Sequence, residues 1–232
     1  METNETESNF LPIVVVITGL LIVAGAVVWN GLRPAGSPQE DNGAAQKVDI
    51  KNVKTDGDAF IGAVDAPVTI ASWSDFQCPR CKQFELDTLP QIITEYVDTG
   101  KVKLVFMDFA FLGNDSITAA LYGRSIWKLY PSQYLAWRTA MYIAQDEEGD
   151  KGFGNAESID TLNATIAGFD AVKIAADVKE NTNIYRAAID ADRVEVKKAH
   201  ITGTPSFVIG TQLIQGAHPY PTFKDAIDPL LK

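Results

Sequence analysis

Pro67-Val68-Thr69-Ile70-Ala71-Ser72-Trp73-Ser74-Asp75-Phe76-Gln77-Cys78-Pro79-Arg80-Cys81 contains both cysteines of the 232-residue chain. Residues 67–76 alternate apolar and small polar side chains around Val68, Ile70 and Trp73, the period of a strand that runs straight into Gln77-Cys78. Phe84, Leu86, Leu89, Ile92, Ile93 and Val97 then line a helix, with a kink expected at Pro90 and a stop at Gly100. The two thiols, at i and i+3, fall on the first turn of that helix. Pro79 has no N–H to lose there, and its fixed φ suits a first helical position. A thiol at a helix start lies beside unpaired backbone N–H groups and the positive end of the macrodipole, which favour thiolate over thiol. The charge of Arg80, between the sulfurs, is expected to lower the first thiol's pKa further.

A stabilised thiolate is a good leaving group, so a Cys78–Cys81 disulfide would pass readily to another dithiol, with the released thiolate making the protein oxidising. Two cysteines alone do not give the direction: a reductase or isomerase uses the same pair, and a non-catalytic binding module or chaperone would keep it for stability. A zinc site would need further ligands, and the only histidines, His200 and His218, have a spacing that matches no common finger.

Outward from this segment, residues 102–111 read as a second strand and residues 114–200 as a helical block, with loops near Tyr130-Pro131 and at 149–154. Strand character returns at 206–209 and 212–215 around a Gly210-Thr211 turn, and residues 222–231 close as an amphipathic helix. The class is α/β. Gly203-Thr204-Pro205 precedes the third of these strands, where a proline is often cis and leaves the preceding backbone free to pair with an extended peptide. Trp127, Tyr134, Trp137, Tyr142 and Phe153 could line a peptide-binding face of the helical block, although aromatic residues at helical spacing usually form core. The acidic run Asp146-Glu147-Glu148-Gly149-Asp150 reads as a solvated loop.

Residues 1–9 form a polar tail without lysine or arginine. Residues 10–29 carry no charge, and thirteen of these twenty are Phe, Leu, Ile or Val, the length and composition of a bilayer-spanning helix. A transmembrane anchor is therefore expected at 10–30, with a Pro/Gly-containing linker at 31–47 and one domain at 48–232 that holds a helical insertion at about 114–200. Ala24-Gly25-Ala26 offers a competing signal-peptide cleavage pattern, although basic residues are absent before the apolar run and the run continues past it. Flanking Arg33, Lys47 and Lys51 bear weakly on orientation. The net charge of −10 argues against nucleic acid as a partner, and two cysteines exclude a disulfide-dense scaffold or a four-thiolate cluster.

Taken together, Ala66-Pro67-Val68-Thr69-Ile70, the Ser74–Cys81 stretch with Phe84, Gly203-Thr204-Pro205-Ser206-Phe207, and Gly216-Ala217 with Tyr220 and Phe223 resemble a DsbA-like thiol-disulfide oxidoreductase. The resemblance implies a thioredoxin-like fold with an inserted helical subdomain. It implies Cys78 as the exposed nucleophile, Cys81 as its buried partner, and Pro205 as a cis-proline facing them, with Pro79, Arg80, Thr204 and Pro205 as the substrate-positioning residues. No cofactor or metal is implied. It implies action outside the cytoplasm on cysteine-containing exported proteins, with reoxidation by a membrane quinone-linked thiol oxidoreductase. Three departures stand out. Ser72 replaces a buried Glu that can assist proton transfer, and Asp75 points to the opposite face of the strand. His200 stands where a glycine is common, and residues 106–110 lack the arginine and proline of many relatives.

Overall fold

The computed structural model describes residues 48–146 and 152–232. The expected tail, anchor and linker, and residues 147–150 of the acidic loop, lie outside the described residues. Among the described residues no helix is long and apolar enough to cross a membrane.

Five strands, β1 (Ala59–Ile61), β2 (Val68–Ser74), β3 (Val102–Asp108), β4 (Ser206–Ile209) and β5 (Gln212–Gln215), form one sheet in the order β1-β3-β2-β4-β5. β2 and β3 are parallel, and the other neighbours are antiparallel. A parallel pair requires a crossover, supplied here by a helical run over residues 79–97. Both faces of β2 are buried: Val68 and Ile70 pack with Cys78, Cys81 and Phe84, while Ala71 and Trp73 pack with Val196, Ala199, Ile201 and Val208. The strand that delivers Cys78 is thus enclosed by core on each side. The edge strand β1 was not evident in the sequence, because three residues are too few to display a period.

The helical run is built from α1 (Pro79–Gln83), a π turn (Phe84–Thr88), α2 (Leu89–Ile92) and a second π turn (Ile93–Val97). Leu89 N–H bonds back to Phe84 O, so the π turn shifts the bonding register directly before Pro90, which has no N–H to offer. The feature expected as a kink at Pro90 is this change of register. Gly100 ends the run at φ +72°, with Lys101 N–H donating to Tyr96 O at 2.8 Å.

Residues 114–198 supply α3 (Asn114–Leu129), α4 (Tyr134–Ala144), α5 (Ala156–Thr165) and α6 (Ala171–Lys198), the expected insertion. Its aromatic residues are chiefly core: Trp137 and Tyr142 are fully buried and Tyr134 nearly so. Trp127 and Phe153 are half-buried. Arg124 of α3 ties the insertion to the sheet by contacting Asp58, Asp108 and Asp192 at 2.6, 2.7 and 2.5 Å.

α6 ends in a Schellman arrangement. Ile201 N–H reaches Val196 O at 3.0 Å, His200 N–H reaches Lys197 O at 3.3 Å, and His200 takes φ +54°. His200 therefore fills the left-handed position that favours glycine, which accounts for the common glycine there. The chain closes with α7 (Tyr220–Ile227), whose Phe223 packs on Phe84 and Phe207.

Candidate active site

Where β2 ends, Cys78 N–H donates to Asp75 O at 3.1 Å, and Cys78 takes extended backbone angles as the residue preceding α1. Its carbonyl accepts the N–H groups of Cys81 and Lys82 at 3.0 and 3.1 Å, with Pro79 at the first helical position. The i, i+3 spacing thus becomes one helical turn carrying both thiols, each free. Cys81 is 1% exposed and Cys78 only 7%. The expectation of an exposed Cys78 is corrected to this extent: what stands open at the mouth of the site is Pro79 and Arg80.

Opposite the thiols, the Thr204–Pro205 peptide is cis, and Cys78 Sγ donates to Thr204 O at 3.4 Å. Two bonds hold this segment in place: Gly216 N–H to Pro205 O and Ser206 Oγ to Gly203 O, both 2.7 Å. The structure therefore brings Cys78, Cys81, Thr204 and Pro205 together. Thr204 Oγ1 is buried without a hydrogen-bond partner, so its hydroxyl is free to turn toward a thiolate at the pair and favours that form.

The two thiols differ in acidity. The Cys81 thiol, hydrogen-bonding to Cys78, lowers the Cys78 pKa to about 6 against the opposing effect of burial, with further help from Thr204 and from the backbone N–H groups of Cys81 and Arg80. Cys81 is pushed well above the usual thiol range, first by burial and then by its bond to Cys78 and the charge there. Arg80 contributes through its backbone N–H. Its guanidinium instead bonds Gln83 Oε1 at 2.9 Å, which corrects the expected role of its charge.

Around this center the departures find structural explanations. Asp75 is buried and accepts Gln77 N–H (2.9 Å) and Ser116 Oγ (2.7 Å) on Oδ1, and Phe111 N–H (2.9 Å) and Leu112 N–H (3.1 Å) on Oδ2. Burial raises its pKa and these bonds oppose the rise, so it braces the end of β2 against the loop after β3. Ser72 is buried with its hydroxyl unpartnered. A buried carboxylate does lie nearby, on the helical run: Glu85, four residues beyond Cys81, paired with Arg138 of α4 at 2.9 Å. Sequence reading missed both, although an acid on the apolar face of that helix and an arginine within the apolar 134–143 run were visible signals. Neither histidine is drawn to the thiols. His200 caps α6, His218 Nε2 contacts Gln215 O at 3.0 Å, and among the described residues no cluster of three or more His, Cys, Asp or Glu is placed to hold a metal ion.

Residues 54–229 of the chain match a known family, described as thioredoxin. The chain belongs to the thioredoxin family. Within the thioredoxin family it is 28% identical over 173 residues to a probable disulfide bond formation protein D of Bacillus anthracis, covering 74% of this chain and 77% of that protein. It is 27% identical over 179 residues to disulfide bond formation protein D of Bacillus subtilis, covering 76% and 78%. Among solved thioredoxin-fold structures, oxidised BdbD from Bacillus subtilis aligns with a TM-score of 0.70 at 24% identity, covering 77% of this chain and 95% of that one. The thiol-disulfide exchange protein alpha-DsbA2 from Wolbachia pipientis aligns with a TM-score of 0.65 at 26% identity, covering 75% and 87%. This thioredoxin-family chain is a DsbA-like thiol-disulfide oxidoreductase.

Proposed function

We propose that the protein oxidises cysteine pairs in exported proteins, with Cys78 as the attacked sulfur and Cys81 as its resolving partner. The observation that carries this reading is the split acidity of the pair: Cys78 is held near 6 and Cys81 well above the ordinary range. In the oxidised protein a substrate thiolate attacks Cys78 Sγ, forming the mixed disulfide, while the Cys78–Cys81 bond breaks and Cys81 leaves and takes up a proton. The second substrate thiolate then attacks the substrate sulfur of the mixed disulfide and expels Cys78 as a thiolate. The substrate loses two electrons and gains a disulfide, and the protein gains the two electrons as a reduced pair. Stabilising the departing Cys78 thiolate favours the reduced protein and hence transfer of the disulfide outward. The cis Thr204–Pro205 segment stands where it can align the extended substrate, and Pro79 and Arg80 form the open rim.

With no third cysteine, the two electrons must leave to an oxidant outside this chain. A membrane quinone-linked thiol oxidoreductase has the right chemistry. In this reading residues 10–29 form a single-pass anchor, residues 31–47 a tether, and the domain from residue 48 faces away from the cytoplasm. The twenty uncharged residues of the apolar segment support it.

The test is equilibration of the purified protein with glutathione. An oxidase should be found largely reduced in buffers whose poise leaves glutathione mostly oxidised, whereas a potential near that of cytosolic thioredoxins would refute the oxidase direction. Thiol trapping in cells should find the Cys78–Cys81 disulfide at steady state, and a fully reduced pair would count against the proposed compartment.

A further inference from the structure

Arg138 and Tyr142, spaced i and i+4, share one face of α4, and Gln145 is the residue that ends the helix just beyond it. Each reaches a different residue of the segment that carries β2 into Cys78. Arg138 Nη2 donates to Ser74 Oγ at 3.0 Å, Tyr142 Oη to Asp75 O at 3.3 Å, and Gln145 Nε2 to Phe76 O at 2.6 Å. The same stretch meets the chain again beyond the cysteines: Arg138 Nε donates to Glu85 Oε2 at 2.9 Å, and Lys82 Nζ donates to Gln145 O at 2.9 Å. The redox turn is therefore held on both sides by one helix.

Asp75 connects this grip to both sulfurs. Its carbonyl accepts the Cys78 N–H as well as the Tyr142 hydroxyl, and its backbone N–H favours thiolate at Cys81. Arg138 and Glu85 are each 2% exposed, and the guanidinium packs over the rings of Phe106, Tyr142 and Phe76 at 4.3, 5.2 and 5.4 Å. Packing alone does not call for a charged pair in such a place, because desolvating two ions is as a rule less favourable than burying apolar residues of similar volume. The Arg138–Glu85 pair also acts on Tyr142, whose phenol feels both charges.

We propose that Arg138 and Glu85 are positioning residues of the redox site: by way of the α4 face they fix residues 74–76 against the helix start, and their opposed charges set the electrostatic background of the two thiols. The proposal rests on the oxidoreductase reading of Cys78 and Cys81. It carries a sign. Glu85→Gln leaves the guanidinium charge uncompensated in the core behind residues 74–76, where it touches Ser74 and Phe76, and a positive charge there favours thiolate. Arg138→Met removes the positive charge and leaves a carboxyl that is either negative or protonated, neither of which favours thiolate.

The experiment is the pH profile of Cys78 alkylation in the reduced full-length protein, with the glutathione equilibrium measured in parallel. Glu85→Gln should lower the midpoint by half a pH unit or more, about threefold in thiolate fraction below the midpoint, and shift the equilibrium toward the reduced protein. Arg138→Met, which also loses the bond to Ser74, should raise the midpoint, and the double variant should fall between the two single variants. Should Glu85→Gln fail to fold, the comparison of Arg138→Lys with Arg138→Met decides: lysine keeps the charge and should keep the parent midpoint, and methionine should raise it. Identical midpoints in parent, Glu85→Gln and Arg138→Met, or in Arg138→Lys and Arg138→Met, with only thermal stability altered, would reduce the pair to packing and overturn the proposal. A parent midpoint in the ordinary thiol range would instead count against the reading of Cys78, and the differences among variants would still be measurable.

Discussion

Acidifying the reduced protein protonates Cys78, and the fold should lose stability as this happens. In the unfolded chain the thiol titrates near its ordinary value of 9.0, whereas in the fold it titrates at about 6. A group with a depressed folded pKa contributes stability that is complete above the unfolded value and lost as pH falls through the folded one. Three units at about 1.36 kcal/mol each set a ceiling of about 4 kcal/mol. The turn is open on the Pro79–Arg80 side, and solvent screening brings the expectation to about 2–3 kcal/mol, or roughly 5–10 °C in Tm for a domain of this size. Cys81 does not blur the window, because its raised folded value keeps it protonated in both states below the ordinary thiol range. The assay is urea unfolding under a non-thiol reductant for the parent and for Cys78→Ser, from about pH 5.5 to about pH 9, the interval bracketing both pKa values. Titrations not coupled to Cys78 cancel in the difference, which should grow with pH at up to about 1.4 kcal/mol per unit above about pH 6. The oxidised protein has no thiolate and should show no such slope. A parent-minus-variant difference that stays level across the interval would refute the assignment of a stabilised thiolate to Cys78.

Four further expectations concern the frame around the site. Arg124→Met removes the one cation from among Asp58, Asp108 and Asp192 and should cost about 3–5 kcal/mol by urea unfolding; a loss under about 1 kcal/mol would mean the carboxylates need no partner. Burial raises Asp58 to about 6, and burial followed by the Asp108 charge raises Asp192 to about 8. Because a raised group's stability is full below its unfolded value and is lost as pH rises to the folded one, the parent should weaken relative to Asp192→Asn from about pH 4 up to about pH 8 and level off above it, a trend that thermal melts across that range would detect. His200→Gly should hold or raise Tm, whereas His200→Val should cost about 1–2 kcal/mol at the left-handed position. Gly154→Ala would bring a Cβ to 2.1 Å from Gln77 Nε2 and 2.9 Å from Asp115 Cβ at φ +131°. It should lower stability by about 1–3 kcal/mol and, since Gln77 precedes Cys78, alter the Cys78 alkylation rate. An unaltered melt and rate would show that this contact carries no load.

What could be read in advance was whatever a local pattern encodes. β2 and the helix start beside Cys78 follow from a period of two that stops at a proline suited to a first turn. The β4–β5 hairpin follows from two short apolar runs around Gly210-Thr211, and the observed bounds 206–209 and 212–215 agree with that reading. Contacts that span the insertion were not legible. Glu85 and Arg138 are 53 positions apart, Asp58 and Arg124 are 66 apart, and no periodicity links such pairs. β1 is too short to alternate. The π turns around Pro90 arise from how the helix packs, whereas the sequence marks only the proline. For His200 the pattern held a signal, a non-glycine where glycine is common, but its meaning depended on seeing φ. The Arg80 expectation failed for a related reason. A formal charge is visible in sequence, but the rotamer that turns the guanidinium to Gln83 is not.

That correction bears on how the acidity of Cys78 arises. Had the Arg80 charge been responsible, the effect would rest on an exposed, flexible side chain and would weaken with ionic strength, since exposed charges are screened within about 8–10 Å in physiological salt. The groups that act are instead the Cys81 thiol, the Thr204 hydroxyl and the N–H groups of Cys81 and Arg80. These are dipoles aimed at one point by the ends of two elements, α1 and the turn before β4. Their directions are fixed by the backbone and by the bonds that hold Pro205 and Ser206. Most of them are shielded from solvent. Preorganised dipoles need no rearrangement when the mixed disulfide releases Cys78, so the stabilisation is in place at the moment the thiolate forms. The insertion serves the same end from behind, where α4 grips Ser74, Asp75 and Phe76 and so prevents the donor groups from drifting away from the sulfur. The residues between the cysteines are thus one part of the tuning, and the frame that aims the backbone at them is the other.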